Sequence, residues 1–303
     1  MKKYPNCLKR APRVPRVGLA SLGPVIAALL SGLGGGCISR QALPDPGTVR
    51  AIEEEESGVV ALGTSLDGDP AHMTLCSGAL VASNLILTAR HCVSRSVTST
   101  PSCDAHGRSH NGVHLADDAD PSMIGIYVGK HVHIERDVPR AYGLKTFHPA
   151  GSVLCVADVA FLVLDRPLVG VAVLPIRLHG SVSSGDRVLP VGFGGGTAMT
   201  VGDRASRRGS TVLSIGPIAN AETGAVLGPR EFEVDRATCR GDSGGPAIDA
   251  ATGEIVGVVS RGGSCSAAGN HVYTRVDAYA PLAHVAFREA SNAARESVAL
   301  ANP

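Results

Sequence analysis

The chain has 303 residues, 44% of them hydrophobic and 18% charged, which is enough for one domain with a sizeable core. Its formal net charge is +1, but Lys2, Lys3, Lys9, Arg10, Arg13 and Arg16 all lie in an acid-free start, so the rest of the chain carries about −5 and a nucleic-acid footprint is excluded. Glycine is abundant at 37, and runs of helical period are scarce before the last stretch, which favours strands and turns.

The basic start leads into Val17 to Gly36, an apolar and small-residue stretch broken by Pro24. That order is the pattern of a bacterial export signal, so residues 1–36 are set apart from the fold. An uncleaved anchor fits less well, because a proline-interrupted run of about 20 residues makes a poor spanning helix. The signal closes in Leu33-Gly34-Gly35-Gly36-Cys37, which resembles a lipobox with its leucine one place early. Cys37 is therefore a candidate for lipidation and membrane attachment, with plain secretion as the other reading. Residues 37–57, with two prolines and Glu53-Glu54-Glu55-Glu56, read as a solvated tether. The folded domain is expected over 52–290, with 291–303 as a C-terminal tail.

Cys76-Ser77-Gly78-Ala79-Leu80 precedes Leu85-Ile86-Leu87-Thr88 by one hairpin, and the second strand stops abruptly in Ala89-Arg90-His91-Cys92. A strand end can hold an imidazole rigidly, although a histidine beside a cysteine is also ordinary packing context. The next loop holds Cys103, His106, His110 and His114, a conceivable zinc set, but its Gly/Ser/Asp-rich surroundings argue against one and no metal or cofactor is expected. Ala157-Asp158-Val159-Ala160-Phe161-Leu162-Val163-Leu164 then places one carboxylate at the head of an apolar run. Buried there without a partner it would be costly, so a partner is expected; the plainer reading is a cap or turn residue.

In Cys239-Arg240-Gly241-Asp242-Ser243-Gly244-Gly245-Pro246 a hydroxyl sits among three glycines and one carboxylate. Glycine tolerates positive φ and lets backbone N–H groups crowd a reacting carbonyl, which suits a nucleophile on a tight turn. Serine alone is a weak nucleophile and needs a base to take its proton and a carboxylate to orient that base. A lone Gly-x-Ser-x-Gly signals little, because glycine-serine turns are common punctuation. Pro246 to Asp249 leads through Thr252-Gly253-Glu254 into Ile255 to Val259, a hairpin pattern, and Leu282, Val285, Ala286 and Ala290 predict a helix from Ala280 to Glu296 with a core-facing stripe.

Taken in the order His91, Asp158, Ser243, the three segments resemble the chymotrypsin-like, trypsin-fold serine peptidases. The likeness runs from about Ile52 to about Arg288. It includes Val191-Gly192-Phe193-Gly194, where that family usually has a Gly-Trp-Gly turn, and Val272-Tyr273-Thr274-Arg275-Val276. The resemblance implies an all-β fold of two six-stranded antiparallel barrels with a C-terminal helix, His91 and Asp158 coming from the first barrel and Ser243 from the second. It implies a monomeric serine endopeptidase acting on protein or peptide through an acyl-enzyme. Ser243 would be the nucleophile, His91 the general base, Asp158 its orienting acid, and Gly241 and Ser243 the oxyanion-hole donors. It also pairs Cys76 with Cys92 and Cys239 with Cys265. Setting aside Cys7 in the leader and Cys37, only Cys103 and Cys155 are then left to pair with each other.

The same resemblance places Ala237 at the base of the specificity pocket, where an aspartate would select basic side chains, so cleavage after Arg or Lys is not expected. Thr238, Arg240, Ser260, Arg261, Gly262 and His271 are the further substrate-binding candidates. His271 stands where the family has a small residue, which narrows the pocket or puts an imidazole in it, and favours small apolar or acidic P1 side chains. Arg261 stands where a tryptophan is frequent. Family members activated by proteolysis pair a new aliphatic amino terminus with the carboxylate before the serine, here Asp242; Ile52 is nearest by spacing, but glutamates follow it in place of glycines, so the activation route stays open. Two other functions compete. An α/β-hydrolase esterase shares Gly-x-Ser-x-Gly, but its histidine follows the serine and its elbow opens a helix. A catalytically silent trypsin-fold binding protein usually lacks a triad member, and none is missing here.

Overall fold

Apolar runs such as Val59–Thr64, Leu85–Thr88 and Ala160–Leu164 show no polar alternation, and the reason is that these strands are covered on both faces. The computed structural model describes residues 58–69, 72–195, 201–206, 209–236, 238–262, 265 and 268–301. Its first barrel consists of β1 (Val59–Thr64), β2 (Thr74–Ala82), β3 (Leu85–Thr88), β4 (Ile124–Tyr127), β5 (Ala141–Phe147) and β6 (Ala160–Leu164). All pairings are antiparallel, the order is β1-β2-β3-β6-β5-β4, and β4 returns to β1 to close the ring.

The second barrel consists of β7 (Arg187–Gly192), β8 (Ser210–Ile215), β9 (Glu231–Arg236), β10 (Pro246–Asp249), β11 (Ile255–Gly262) and β12 (Ala268–Arg275). Its order is β7-β8-β9-β12-β11-β10, closed by β10 on β7. The two barrels therefore repeat one strand order, and closure leaves neither with a long open edge.

Side-chain alternation sorts the core. On β1, β3 and β6, Val60, Leu62, Ile86, Leu162 and Leu164 fill the first barrel. Their neighbours Val59, Ala61, Leu85, Leu87, Phe161 and Val163 face the opposite way, into a second core shared with Leu189, Val191, Ile248 and Val258 of the other barrel. Val188, Val212, Phe232, Val234 and Tyr273 fill the second barrel. Burying each such side chain contributes about 1.5–3 kcal/mol.

The C-terminal helix spans Ala280–Ala301, five residues beyond the Glu296 expected from periodicity and through most of the stretch expected as a tail. It presents Ala283, Ala286 and Ala290 to the shared core, and Asn84 Nδ2 donates to Ala290 O at 2.9 Å. Among the described residues no helix is long and apolar enough to cross a membrane. The leader, the tether and Cys37 lie outside the described residues.

Candidate active site

The ladder between β3 and β6 brings the first two candidates together. Leu87 faces Phe161 and Thr88 faces Ala160, so continuing the antiparallel register past both strand ends sets His91 beside Asp158. His91 sits in one 3-10 turn, Arg90–Cys92, and Asp158 follows a single helical turn, Leu154–Ala157. The Nδ1 of His91 lies 3.0 Å from each oxygen of Asp158, and the His91 backbone N–H donates to Oδ1 at 3.0 Å. Ser260 Oγ donates to Oδ2 at 2.6 Å.

The carboxylate is fully buried. Burial alone would raise its pKa, but the charge and hydrogen bond of His91, the Ser260 hydroxyl and the His91 amide outweigh burial and hold it below the usual carboxylate value. For His91 burial is also the largest single influence and disfavours the charge. The attraction and hydrogen bond of Asp158 together overcome it, so the imidazole pKa is raised. With Nδ1 committed to Asp158, Nε2 is the nitrogen left to exchange a proton.

Ser243 is brought to this pair by glycine. Gly244 has φ +76°, and a Cβ there would lie 2.1 Å from Thr88 Oγ1, 2.5 Å from Ser77 O and 2.8 Å from Ala89 N. The serine loop therefore rests directly on the strand that ends in His91. Ser77 joins the pieces. Its N–H donates to Ser243 O at 2.8 Å, its hydroxyl donates to Gly241 O at 2.7 Å and accepts from Phe193 N at 2.9 Å, and its carbonyl accepts from Thr88 Oγ1 at 2.8 Å. Cys92 Sγ, beside His91 in the chain, lies 3.5 Å from Ser243 O.

Gly241 has φ +101°, and among the described residues neither its N–H nor that of Ser243 donates to any protein acceptor. Two such amides on one turn, on either side of Asp242, can receive a developing oxyanion. No hydrogen bond joins Ser243 Oγ to His91 among the described residues.

The sequence model of the family described as Trypsin matches residues 55–283. The chain belongs to the trypsin family. It is also similar to human mannan-binding lectin serine protease 1, with 28% identity over 223 residues, which is 68% of this chain and 30% of that protein. The chain thus spans less than a third of the length of this relative.

Within this trypsin-family domain the other expected residues fall as follows. Thr238 and His271 meet: Thr238 N–H donates to His271 Nδ1 at 3.1 Å and the Thr238 hydroxyl lies 2.9 Å from it. His271 is fully buried, so its ring is part of the packed wall and not an imidazole open to solvent. An Nδ1 that accepts from an amide leaves the ring proton on Nε2. Arg240 is exposed and Gly262 is exposed with φ +90°, while Ala237 lies outside the described residues.

Arg261 forms a two-pronged pair with the buried carboxylate of Glu231, Nη1 to Oε1 and Nη2 to Oε2 at 2.8 Å, and also donates to Val226 O at 3.1 Å. Asp242 is buried, accepting from Gly194 N at 2.7 Å and Cys239 N at 2.8 Å. A Cβ on either Gly192 or Gly194 would strike its carboxylate at 2.5 Å, which explains why this turn carries glycine on both sides of Phe193. Ile52 lies outside the described residues.

All three expected disulfides are present: Cys76–Cys92, Cys103–Cys155 and Cys239–Cys265. The conceivable zinc set does not assemble, because the Cys103 sulfur is bonded to Cys155, and His114 is buried with Nδ1 accepting from Leu154 N at 3.2 Å and Nε2 2.8 Å from Asn111 Oδ1. Among the described residues two Cys/His groups lie close together, Cys76, His91 and Cys92, and Cys103, His114 and Cys155, and in each the two sulfurs are bonded to one another. Sequence reasoning missed Ser77. Its only signal is a hydroxyl in the middle of an apolar strand, between Cys76 and Gly78.

Proposed function

We propose that the chain is a serine endopeptidase in which Ser243, His91 and Asp158 act as a triad. The observation that carries the reading is the fully buried Asp158 held on Nδ1 of His91, next to a serine turn with two amides that have no partner among the described residues. In this reading Ser243 Oγ attacks the carbonyl carbon of the scissile bond and its proton passes to His91 Nε2. The carbonyl π electrons move onto oxygen, where the N–H groups of Gly241 and Ser243 receive the charge. The tetrahedral species collapses, His91 returns the proton to the leaving amine, and an ester remains on Ser243. Water, deprotonated by His91, repeats the sequence and frees the acid. Asp158 keeps its negative charge and stabilises the imidazolium formed in each half.

For specificity, Ala237 offers no carboxylate to a basic P1 side chain, and the wall built by Thr238 and His271 is polar and filled. This supports small apolar P1 residues over Arg or Lys; an acidic P1 loses its expected partner, because the His271 ring is buried against Thr238. Three disulfides in a trypsin-family domain suit an extracellular setting. The leader supports export, followed by secretion or by lipidation at Cys37; membrane retention unchanged in a Cys37→Ser variant would remove the lipid reading. The test of function is a fluorophosphonate probe. Labelling at Ser243 that disappears in His91→Ala is expected, whereas no labelling of folded, mature protein would favour the silent binding module. In peptide-library profiling of the same sample, dominant cleavage after Arg or Lys would overturn the reading of Ala237.

A further inference from the structure

Arg90 precedes the candidate base, and its side chain is buried although nothing in the triad uses it. Its Nη1 donates to Pro149 O at 3.2 Å and to Gly151 O, and its Nη2 lies 3.9 Å from Asp118 Oδ1. The same Asp118 Oδ1 accepts from Ser94 Oγ at 2.6 Å. Arg90 and Ser94 are the residues on either side of His91, Cys92 and Val93, so one carboxylate oxygen reaches both ends of the turn that carries the imidazole. His148 closes the circuit, with Nε2 2.7 Å from Asp118 Oδ2 and Nδ1 2.9 Å from Pro149 O, the carbonyl that also receives Arg90. Pro149 and Gly151 belong to the loop that runs from β5 into the helical turn before Asp158. The ring Arg90, Asp118, His148, Pro149 therefore ties the approach to Asp158 onto the turn of His91.

We propose that Arg90 and Asp118 are positioning residues that hold His91 in line with Asp158 and, through their opposite charges beside the base, set the pH range in which it is neutral. The proposal rests on the triad reading of His91. Burial is the largest influence on the Arg90 guanidinium and opposes its charge, and the two groups that favour the charge are Asp118 and the buried Asp158. The charge of the triad acid thus favours the cation, as does that of its own partner. Among the described residues, the charged or titratable groups that these bonds place around the base are Asp158 at Nδ1, Arg90 on the same turn, and Asp118 and His148 beyond it. Near Asp158 lies Tyr279, neutral because burial lifts its pKa to about 12, with its hydroxyl donating to Val156 O. Asp242 follows on the far side of Ser243.

Removing the cation and removing the anion must then act in opposite directions. In Arg90→Gln the imidazolium loses a neighbouring positive charge, so the acidic limb of kcat/KM is expected to move up by roughly half a pH unit. In Asp118→Asn the cation is left unbalanced, and the limb is expected to move down by a similar amount. Loosening of the turn should lower kcat about tenfold in Arg90→Gln, with KM unchanged. Both variants are measured in the full chain beside wild type and His91→Ala, with melting temperatures recorded. Limbs that stay at the wild-type position, or shift the same way in both variants, would overturn the proposal and leave a purely structural ring. Should Arg90→Gln fail to fold, the limb of Asp118→Asn decides, since that carboxylate is partly exposed. Undiminished activity in His91→Ala would overturn the triad reading, and the brace with it.

Discussion

The two barrels share a strand order but position their parts of the site by different means. In the first, His91 and Asp158 follow from a ladder: β3 and β6 are neighbours, both are covered on both faces, and a one-residue slip would turn every buried side chain the wrong way. Several bonds then hold the pair, from Ser260 and the His91 amide as well as the imidazole. In the second barrel Ser243 stands on a turn outside any strand, and what places it is the absence of side chains at Gly241 and Gly244. A register built from many contacts tolerates the loss of one, whereas a backbone-on-backbone approach tolerates no added atom.

That contrast can be broken from either side. Asp158→Asn keeps the shape of the acid but removes its charge and, through its amide, favours the wrong imidazole tautomer. Activity should fall about ten-thousandfold in kcat while the protein stays folded, because the β3–β6 ladder is untouched. Wild-type kcat in a folded Asp158→Asn protein would remove Asp158 from the mechanism. Gly244→Ala acts on the other barrel. The added methyl meets Thr88 Oγ1, Ser77 O and Ala89 N at 2.1–2.8 Å, and two of those three atoms are backbone. The serine turn must back away from the His91 strand, so activity should drop about a hundredfold or more, with lowered stability. Urea titration and active-site labelling of Gly244→Ala check this; a fully active, fully stable variant would show that the approach is looser than the distances say.

The same contrast explains what the sequence made legible. Strand ends at His91 and Asp158 were visible because apolar runs stop there abruptly, and the glycines around Ser243 because only a turn tolerates so many. The barrels and the disulfide partners came with the family likeness, since cysteine spacing alone leaves the pairing open. What stayed hidden are contacts between segments distant in the chain. Ser77 looks like any hydroxyl on a strand, yet it binds residues 116 and 164 positions away. The Glu231–Arg261 pair spans 30 positions and no local pattern announces it. Nothing in the local pattern marks Arg90 as the partner of Pro149, Gly151 and Asp118. The helix runs five residues past the Glu296 that periodicity predicts, to Ala301, and Ala293 still packs against the shared core beyond Ala290.

The smallest expected effect sharpens the comparison by setting stability against activity on one pH axis. The folded pKa of His91 is raised, so the stability contributed by charged His91 on Asp158 is fully present below the unfolded value near 6.5 and is lost as pH rises through the folded pKa. The folded pKa of Asp158 is lowered, so its share is present above the unfolded value of 3.8 and is lost as pH falls through the folded one. The first barrel is thus best braced between those limits. The base, however, must be neutral to accept the proton of Ser243, so kcat/KM should climb only above pH 6.5, where the charged pair is being lost. Melting temperature and kcat/KM measured together between pH 4 and 9 should diverge in the upper half of that range. In His91→Ala the fall in stability across that interval should flatten, whereas an unchanged stability profile would mean that the His91–Asp158 contact contributes to catalytic geometry alone.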